Sequence, residues 1–126
     1  MTFMFNMIYP GDPIAKGRPR FGKGKVYTPA KTSKFERDLG LIAKSRIKGK
    51  PCERALCLEV WFSLKRPKSS KERYPIGRPD LDNYVKAVSD ALNGIVWKDD
   101  SQIVKVKAYK NYGSEPSISI DVYEAE

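Results

Sequence analysis

The chain has 126 residues, enough for one domain with a single core and no stapling disulfides or metals. Its 24 Lys and Arg against 15 Asp and Glu give a net charge of +9, which favours a polyanionic partner, nucleic acid ahead of an anionic membrane. There is no histidine, and Cys52 and Cys57 form no CxxC pair, so zinc fingers and Ser-His or Cys-His nucleophile systems are excluded.

No apolar run reaches the roughly 18 residues of a membrane span. The opening MTFMFNMIYP lacks a preceding basic region and a following small-residue cleavage site, so it reads as a first strand over 3–9 and not as a signal peptide. That places the chain in a reducing cytoplasm. From 10 to 32, Pro10, Gly11, Pro13, Gly17, Pro19, Gly22, Gly24 and Pro29 mark a long loop or hairpin-like excursion. Loops of this length in a compact domain usually carry function. Ser33-Lys34-Phe35-Glu36 has the form of a capping box. Phe35, Leu39, Ile42 and Ile47 follow at helical spacing, which predicts a helix over 33–47 that ends before Gly49 and Pro51.

Residues 55–65 alternate. Leu56, Leu58, Val60, Phe62 and Leu64 share one face of a predicted strand, and Cys57, Glu59, Trp61, Ser63 and Lys65 share the other. Cys57 is therefore expected to be a buried or half-buried thiol. A basic, proline-containing loop follows over 66–79. A second helix is expected from Asp80 or Asp82, with an apolar stripe of Leu81, Tyr84, Val85, Val88, Ala91 and Leu92, closed by a left-handed cap at Asn93-Gly94. Trp97-Lys98-Asp99-Asp100 forms a tight connector. Alternating stretches around Val104–Tyr109 and Ile118–Tyr123 flank Gly113 and Pro116 and suggest an antiparallel hairpin. The order β-α-β-α-β-β predicts a single α+β domain over 1–126, with a mixed four-stranded sheet and two helices on one face.

The carboxylates need explaining in so basic a chain, because Asp80, Asp82, Asp99 and Asp100 lie close together in sequence. Each pair has an ordinary reading, helix capping for the first and turn chemistry for the second. One aspartate suffices for a cap, however. If the short connector carries Asp99-Asp100 back towards Asp80-Asp82, the carboxylates converge, and such a cluster holds together only around a cation. Hard oxygen donors select magnesium or manganese. Lys86 lies four residues after Asp82 on the same helix face, either as a surface ion pair or as a cation that stabilises charge at a reacting phosphate. Asp90 either holds Lys86 or faces solvent, and the second is the preferred reading. Asn83 is placed to orient an aspartate. Without histidine, a metal is needed to make a nucleophile of water.

Arg78-Pro79-Asp80-Leu81-Asp82-Asn83, Lys86, Asp90-Ala91-Leu92 and Trp97-Lys98-Asp99-Asp100-Ser101-Gln102-Ile103-Val104 resemble the core signature of RusA-type Holliday junction resolvases. Lys16-Gly17-Arg18-Pro19-Arg20 and Val26-Tyr27-Thr28-Pro29 resemble the N-terminal region of phage-like members. The resemblance covers most of the chain. It implies a homodimer that cuts two opposed strands of a four-way DNA junction with magnesium. By motif it assigns the metal to Asp80, Asp82 and Asp100, an accompanying acidic role to Asp99, and the catalytic lysine to Lys86. The basic loop over 10–32 is longer and more basic than in the shortest members.

Two basic runs are candidates for phosphate contact. Lys16, Arg18, Arg20, Lys23, Lys25 and Lys31 form the first, with Phe21 and Tyr27 interleaved as stacking candidates. Lys65, Arg66, Lys68, Lys71, Arg73 and Arg78 form the second. The apolar first strand and Trp61 are candidate dimer surface. Competing readings are a flap or other branched-DNA nuclease, and a non-catalytic DNA-binding protein that would explain the charge but not the aspartates.

Overall fold

In the computed structural model, backbone is described for residues 2–16, 20–22, 25–27 and 29–125, and side chains for the first and last of these ranges. The long elements are β1 (Thr2–Tyr9), α1 (Ala30–Arg46), β4 (Leu56–Lys65), α2 (Leu81–Leu92), β5 (Ile103–Gly113) and β6 (Ser117–Glu124). A short β2 (Arg20–Gly22) and β3 (Lys25–Tyr27) pair antiparallel within the glycine-rich excursion.

The main sheet has the order β1-β6-β4-β5. β6 is antiparallel to both β1 and β4, and β5 runs parallel to β4. The α+β class and the mixed four-stranded sheet are as expected. The hairpin between the last two strands is not formed. β5 and β6 instead clasp β4 from its two edges, and the turn between them crosses the end of β4. Gly113 makes that crossing possible, since a Cβ there would lie 1.9 Å from Ser63 Oγ.

The apolar alternation of the strands supplies one face of the core. Phe5 and Met7 from β1, Leu56, Leu58, Val60 and Phe62 from β4, and Ile118, Ile120 and Val122 from β6 are all buried. Phe35, Leu39 and Ala43 of α1 and Tyr84, Ala87, Val88, Ala91 and Leu92 of α2 pack on that same face in one cluster. Each fully buried large side chain in this layer contributes roughly 1.5–3 kcal/mol. Tyr84 stacks on Phe62 with ring centroids 5.2 Å apart, which fixes α2 over the middle of the sheet.

α1 begins at Ala30, three residues before the capping box predicted at Ser33. Pro29 stands at the N-cap with φ −53 and ψ 141, and no side chain caps the helix. Pro29 is fixed in an extended conformation and its carbonyl accepts from Ser33 N at 3.0 Å, the first bond of the helix, so the helix starts behind it and Ser33 lies inside the first turn. α2 begins where expected, with Asp80 at the N-cap. Gly94, at φ +81, takes the left-handed conformation predicted for its end and donates its amide to Trp97 O at 2.7 Å. Cys57 is fully buried, as its strand position implies. No helix among the described residues is long and apolar enough to cross a membrane.

Candidate functional site

The start of α2 carries two exposed aspartates, Asp80 and Asp82. Asp80 occupies the N-cap, yet its carboxylate makes no cap hydrogen bond; only its backbone carbonyl accepts, from Asn83 N at 3.1 Å and Tyr84 N at 3.3 Å. The capping explanation for Asp80 therefore does not hold. Arg78 and Asn83 line the same shallow cleft as Asp80, about 320 Å³ in volume. This end of α2 is held by its neighbours. Lys110 Nζ donates to Gly77 O at 2.9 Å and Pro79 O at 3.0 Å, which ties the approach to the helix onto β5.

The second acidic pair is built differently. Asp99 takes the turn role that its position allows. Its amide donates to Gln102 Oε1 at 2.7 Å, its carboxylate accepts from Ser101 Oγ at 2.9 Å, and its carbonyl accepts from Gln102 N at 3.0 Å. Asp100 is half-buried, and Trp97 Nε1 donates to its Oδ1 at 2.6 Å. Burial raises the Asp100 pKa above the ordinary aspartate value, and the Trp97 hydrogen bond opposes that rise. The negative charges of Asp90 and Asp99 add to it, and the positive charge of Lys86 works against it.

Trp97 and Gln102 are the functional positions that motif reading leaves without a role. Trp97 is fully buried, and its segment bridges to Cys52. Gln102 Nε2 donates to Cys52 O at 2.8 Å and Arg54 O at 2.9 Å. Together they fasten the connector to the chain entering β4, so Asp100 is presented from a rigid base. A tryptophan and a glutamine bracketing two aspartates in a polar connector were the available signal.

The predicted convergence of Asp80, Asp82 and Asp100 is not formed. Among the described residues, no three acidic or sulfur side chains lie close enough to hold a metal together. The donors are hard oxygens of the kind magnesium selects. One pair opens α2 and the other precedes β5. β5 pairs parallel with β4, with Ile103 beside Leu56, and Asp100 lies in the short 3-10 turn just before it. There its electrostatic neighbours are Asp90 and Lys86, from the later turns of α2.

Lys86 is exposed and lies 3.7 Å from Asp90 Oδ2; among the described residues it forms no ion pair with its expected partner Asp82. Asp90 does not face solvent, as the sequence suggested, but sits in a charge cluster. The same Oδ2 lies 3.1 Å from Lys16 Nζ, which is also 2.5 Å from Glu36 Oε1. The Lys16 amide donates to Asn83 O at 2.9 Å. Burial acts to lower the Lys16 pKa, but the hydrogen bonds it donates to Glu36 and Asp90 outweigh it and hold the ammonium above its ordinary value. Lys16, expected as a phosphate contact, is thus a clamp between α1 and α2. Its charge is committed to two carboxylates, and Lys86 is left the longer, looser contact.

Two measurable consequences arise here. Lys16→Met leaves Glu36 and Asp90 facing each other without their cation, and should lower stability by about 1–2 kcal/mol, a buried-pair loss reduced by partial exposure. Urea denaturation checks this; unchanged stability with weakened DNA binding would return Lys16 to the DNA surface. The second concerns Asp100. Its folded-state pKa lies above its unfolded one, so the folded chain binds more protons just above the ordinary aspartate range, and stability falls as pH rises through that window. Asp100→Asn removes this loss. In EDTA, the denaturation midpoint of the variant should fall less between acid and neutral pH than that of the parent chain; parallel profiles would contradict the burial of the charge.

Of the other predicted DNA contacts, Arg66 stacks over the Tyr112 ring at 4.3 Å and donates to Glu72 O, and Arg78 is exposed beside Asp80. Arg18 and Lys23 lie outside the described residues. Arg20 and Lys25 fall in β2 and β3, where only backbone is described, as it is for the stacking candidates Phe21 and Tyr27. Trp61 is half-buried and stacks on Tyr109 at 5.7 Å, and Phe3 and Ile8 of β1 are exposed.

Residues 10–123 match the family model described as endodeoxyribonuclease RusA. The chain is also 36% identical, over 90% of its own length and 92% of the relative's, to an uncharacterised protein, YqaN, of Bacillus subtilis (strain 168). The matched span contains α1, α2, the connector at 97–102 and all but the first strand of the main sheet, so both acidic sets lie within it. The chain belongs to the RusA endodeoxyribonuclease family.

Proposed function

We propose that the chain is a structure-selective endodeoxyribonuclease that resolves four-way (Holliday) junctions by paired, magnesium-dependent hydrolysis of phosphodiesters, working as a homodimer in the cytoplasm. The observation that carries this reading is the state of Asp80. A carboxylate at a helix start, exposed, free of capping duty and beside Arg78, has no structural role in a chain of net charge +9. Family membership supplies the reaction class.

Asp80, Asp82 and Asp100 are the residues that would hold magnesium (manganese being the near substitute), with Asp99 shaping the turn that presents Asp100. The bound ion supplies a water of lowered pKa and neutralises charge on the nonbridging oxygens. Magnesium is commonly held by one or two carboxylates together with substrate phosphate, so its binding does not require a ready three-carboxylate group in the chain alone. Lys86, loosely held by Asp90, stabilises charge that develops on the phosphate. Arg78 and Arg66, with Arg18, Arg20, Lys23 and Lys25 of the excursion, are proposed to bind backbone phosphates. Two coordinated cuts require two sites related by a twofold axis, hence the homodimer. The cytoplasmic assignment agrees with two free cysteines, neither in a disulfide.

The test is cleavage of a labelled synthetic four-way junction in magnesium, with linear duplex and flap DNA alongside. Cutting confined to the junction and stopped by EDTA is the expected result. Preference for the flap would make the chain another branched-DNA nuclease. Tight binding without cutting in magnesium or manganese would leave a DNA-binding protein.

A further inference from the structure

A second cleft, of about 440 Å³, shares Arg78 in its lining with the cleft at Asp80. Its cations are Lys31 from the first turn of α1, Lys65 from the end of β4, and Arg78 itself. None of the three takes part in an ion pair among the described residues, whereas Lys16, Lys34, Lys86 and Arg54 are all paired. Asp12 is the one carboxylate in the lining, so the cleft keeps a positive excess.

The remaining lining is apolar and fixed. Tyr84 is 4% exposed and locked against Phe62, and Pro75 is buried. Tyr112 is covered by the Arg66 guanidinium at 4.3 Å, and its hydroxyl lies 3.3 Å from Ser70 Oγ. Aromatic walls that are already held in place cost little ordering when a ligand arrives. A volume near the lower part of the roughly 300–1,000 Å³ range suits one small molecule and is far too narrow for a duplex. Size alone does not select this cleft. A larger one, about 640 Å³, lies beside the turn after β5, but it is lined by Asp12 and Glu115 with no cation, and it would repel phosphate.

We infer that this second cleft is a single-nucleotide pocket. It receives one unstacked nucleotide of the strand that passes Asp80, with phosphate on Lys31, Lys65 and Arg78 and the base against Tyr112, over a floor that the buried Tyr84 closes. Unstacking is cheapest where pairing is already broken, as at a branch point, so the pocket would favour branched over linear DNA. The inference rests on the nuclease reading for its substrate, but it is tested without cutting.

The probe is a 5′-phosphorylated thymidine tetranucleotide, titrated into the full chain without magnesium and followed by NMR shifts of aromatic and backbone signals. Shifts should centre on Tyr84, Tyr112 and Pro75 neighbours. Lys31→Ala with Lys65→Ala should weaken the Kd by about tenfold, as expected for two lost phosphate contacts. The same loss of charge at Lys44, in the last turn of α1, and Lys48, just beyond its end, should change it by no more than about twofold. Equal weakening by both pairs, shifts centred elsewhere, or identical shifts with inorganic phosphate alone would each overturn the pocket. A chain that binds the tetranucleotide in this way but cuts no junction would instead sink the nuclease reading and leave the pocket standing.

Discussion

Asp82→Asn should reduce magnesium-dependent cleavage of a four-way junction by about a thousandfold while junction binding is kept or tightened. The magnitude follows from removing one charge-bearing group from a phosphoryl-transfer site. The direction of the binding change follows from Coulomb's law, because a negative charge facing the phosphates has been deleted. Asp82 is exposed in the first turn of α2, so the fold should lose no more than about 1 kcal/mol of helix-dipole stabilisation. Circular dichroism and a gel-shift titration separate these effects. Cleavage within a few-fold of the parent chain would remove Asp82 from the reaction. Cleavage and binding lost together would point to a folding defect.

Trp97→Phe is the second large expected effect, and it is larger on stability. The indole is fully buried and donates to Asp100 at 2.6 Å. Phenylalanine leaves a smaller ring in the same place and an unanswered carboxylate. The cost should be roughly 2–4 kcal/mol, from a lost hydrogen bond to a charged group plus residual cavity. Cleavage at a temperature where the variant is folded should fall by about 10–100-fold, as for other residues that orient a ligand. Full activity in a destabilised variant would mean that Trp97 only packs the core and that Asp100 needs no orientation.

Much of this fold was legible because both helices and the long strands wear their faces in sequence. Leu56, Leu58, Val60 and Phe62 alternate and are all buried, and the stripe on α2 is the face that meets the sheet. Alternation tells which face a residue takes, but not which strand lies beside it. The hairpin expected between β5 and β6 failed for that reason. Val104 and Val106 also alternate, yet they are 65% and 47% exposed, because β5 is an edge strand. The start of α1 is not legible from Ser33 and Glu36, which make a plausible box, because the extended Pro29 already begins the helix and its carbonyl accepts from the Ser33 amide.

At the candidate site, the aspartates were legible as an acidic surplus in a basic chain. Whether they form one group was not, because that depends on how α2 and β5 pack and not on spacing along the chain. Lys16 was read as one cation in a run of six. Its true partners, Glu36 and Asp90, sit on two different helices, and only tertiary packing brings them to it. The Trp97–Asp100 bond, by contrast, spans three residues and could have been proposed from spacing alone.

The measurement that tests the central claim most directly is nucleotide-resolution mapping of cuts on all four strands of a synthetic junction in magnesium. The account predicts nicks on two opposed strands at symmetric positions about the crossover, made within one binding event and absent from linear duplex. Nicks that fall singly, without symmetry, or equally on duplex DNA would contradict a junction resolvase.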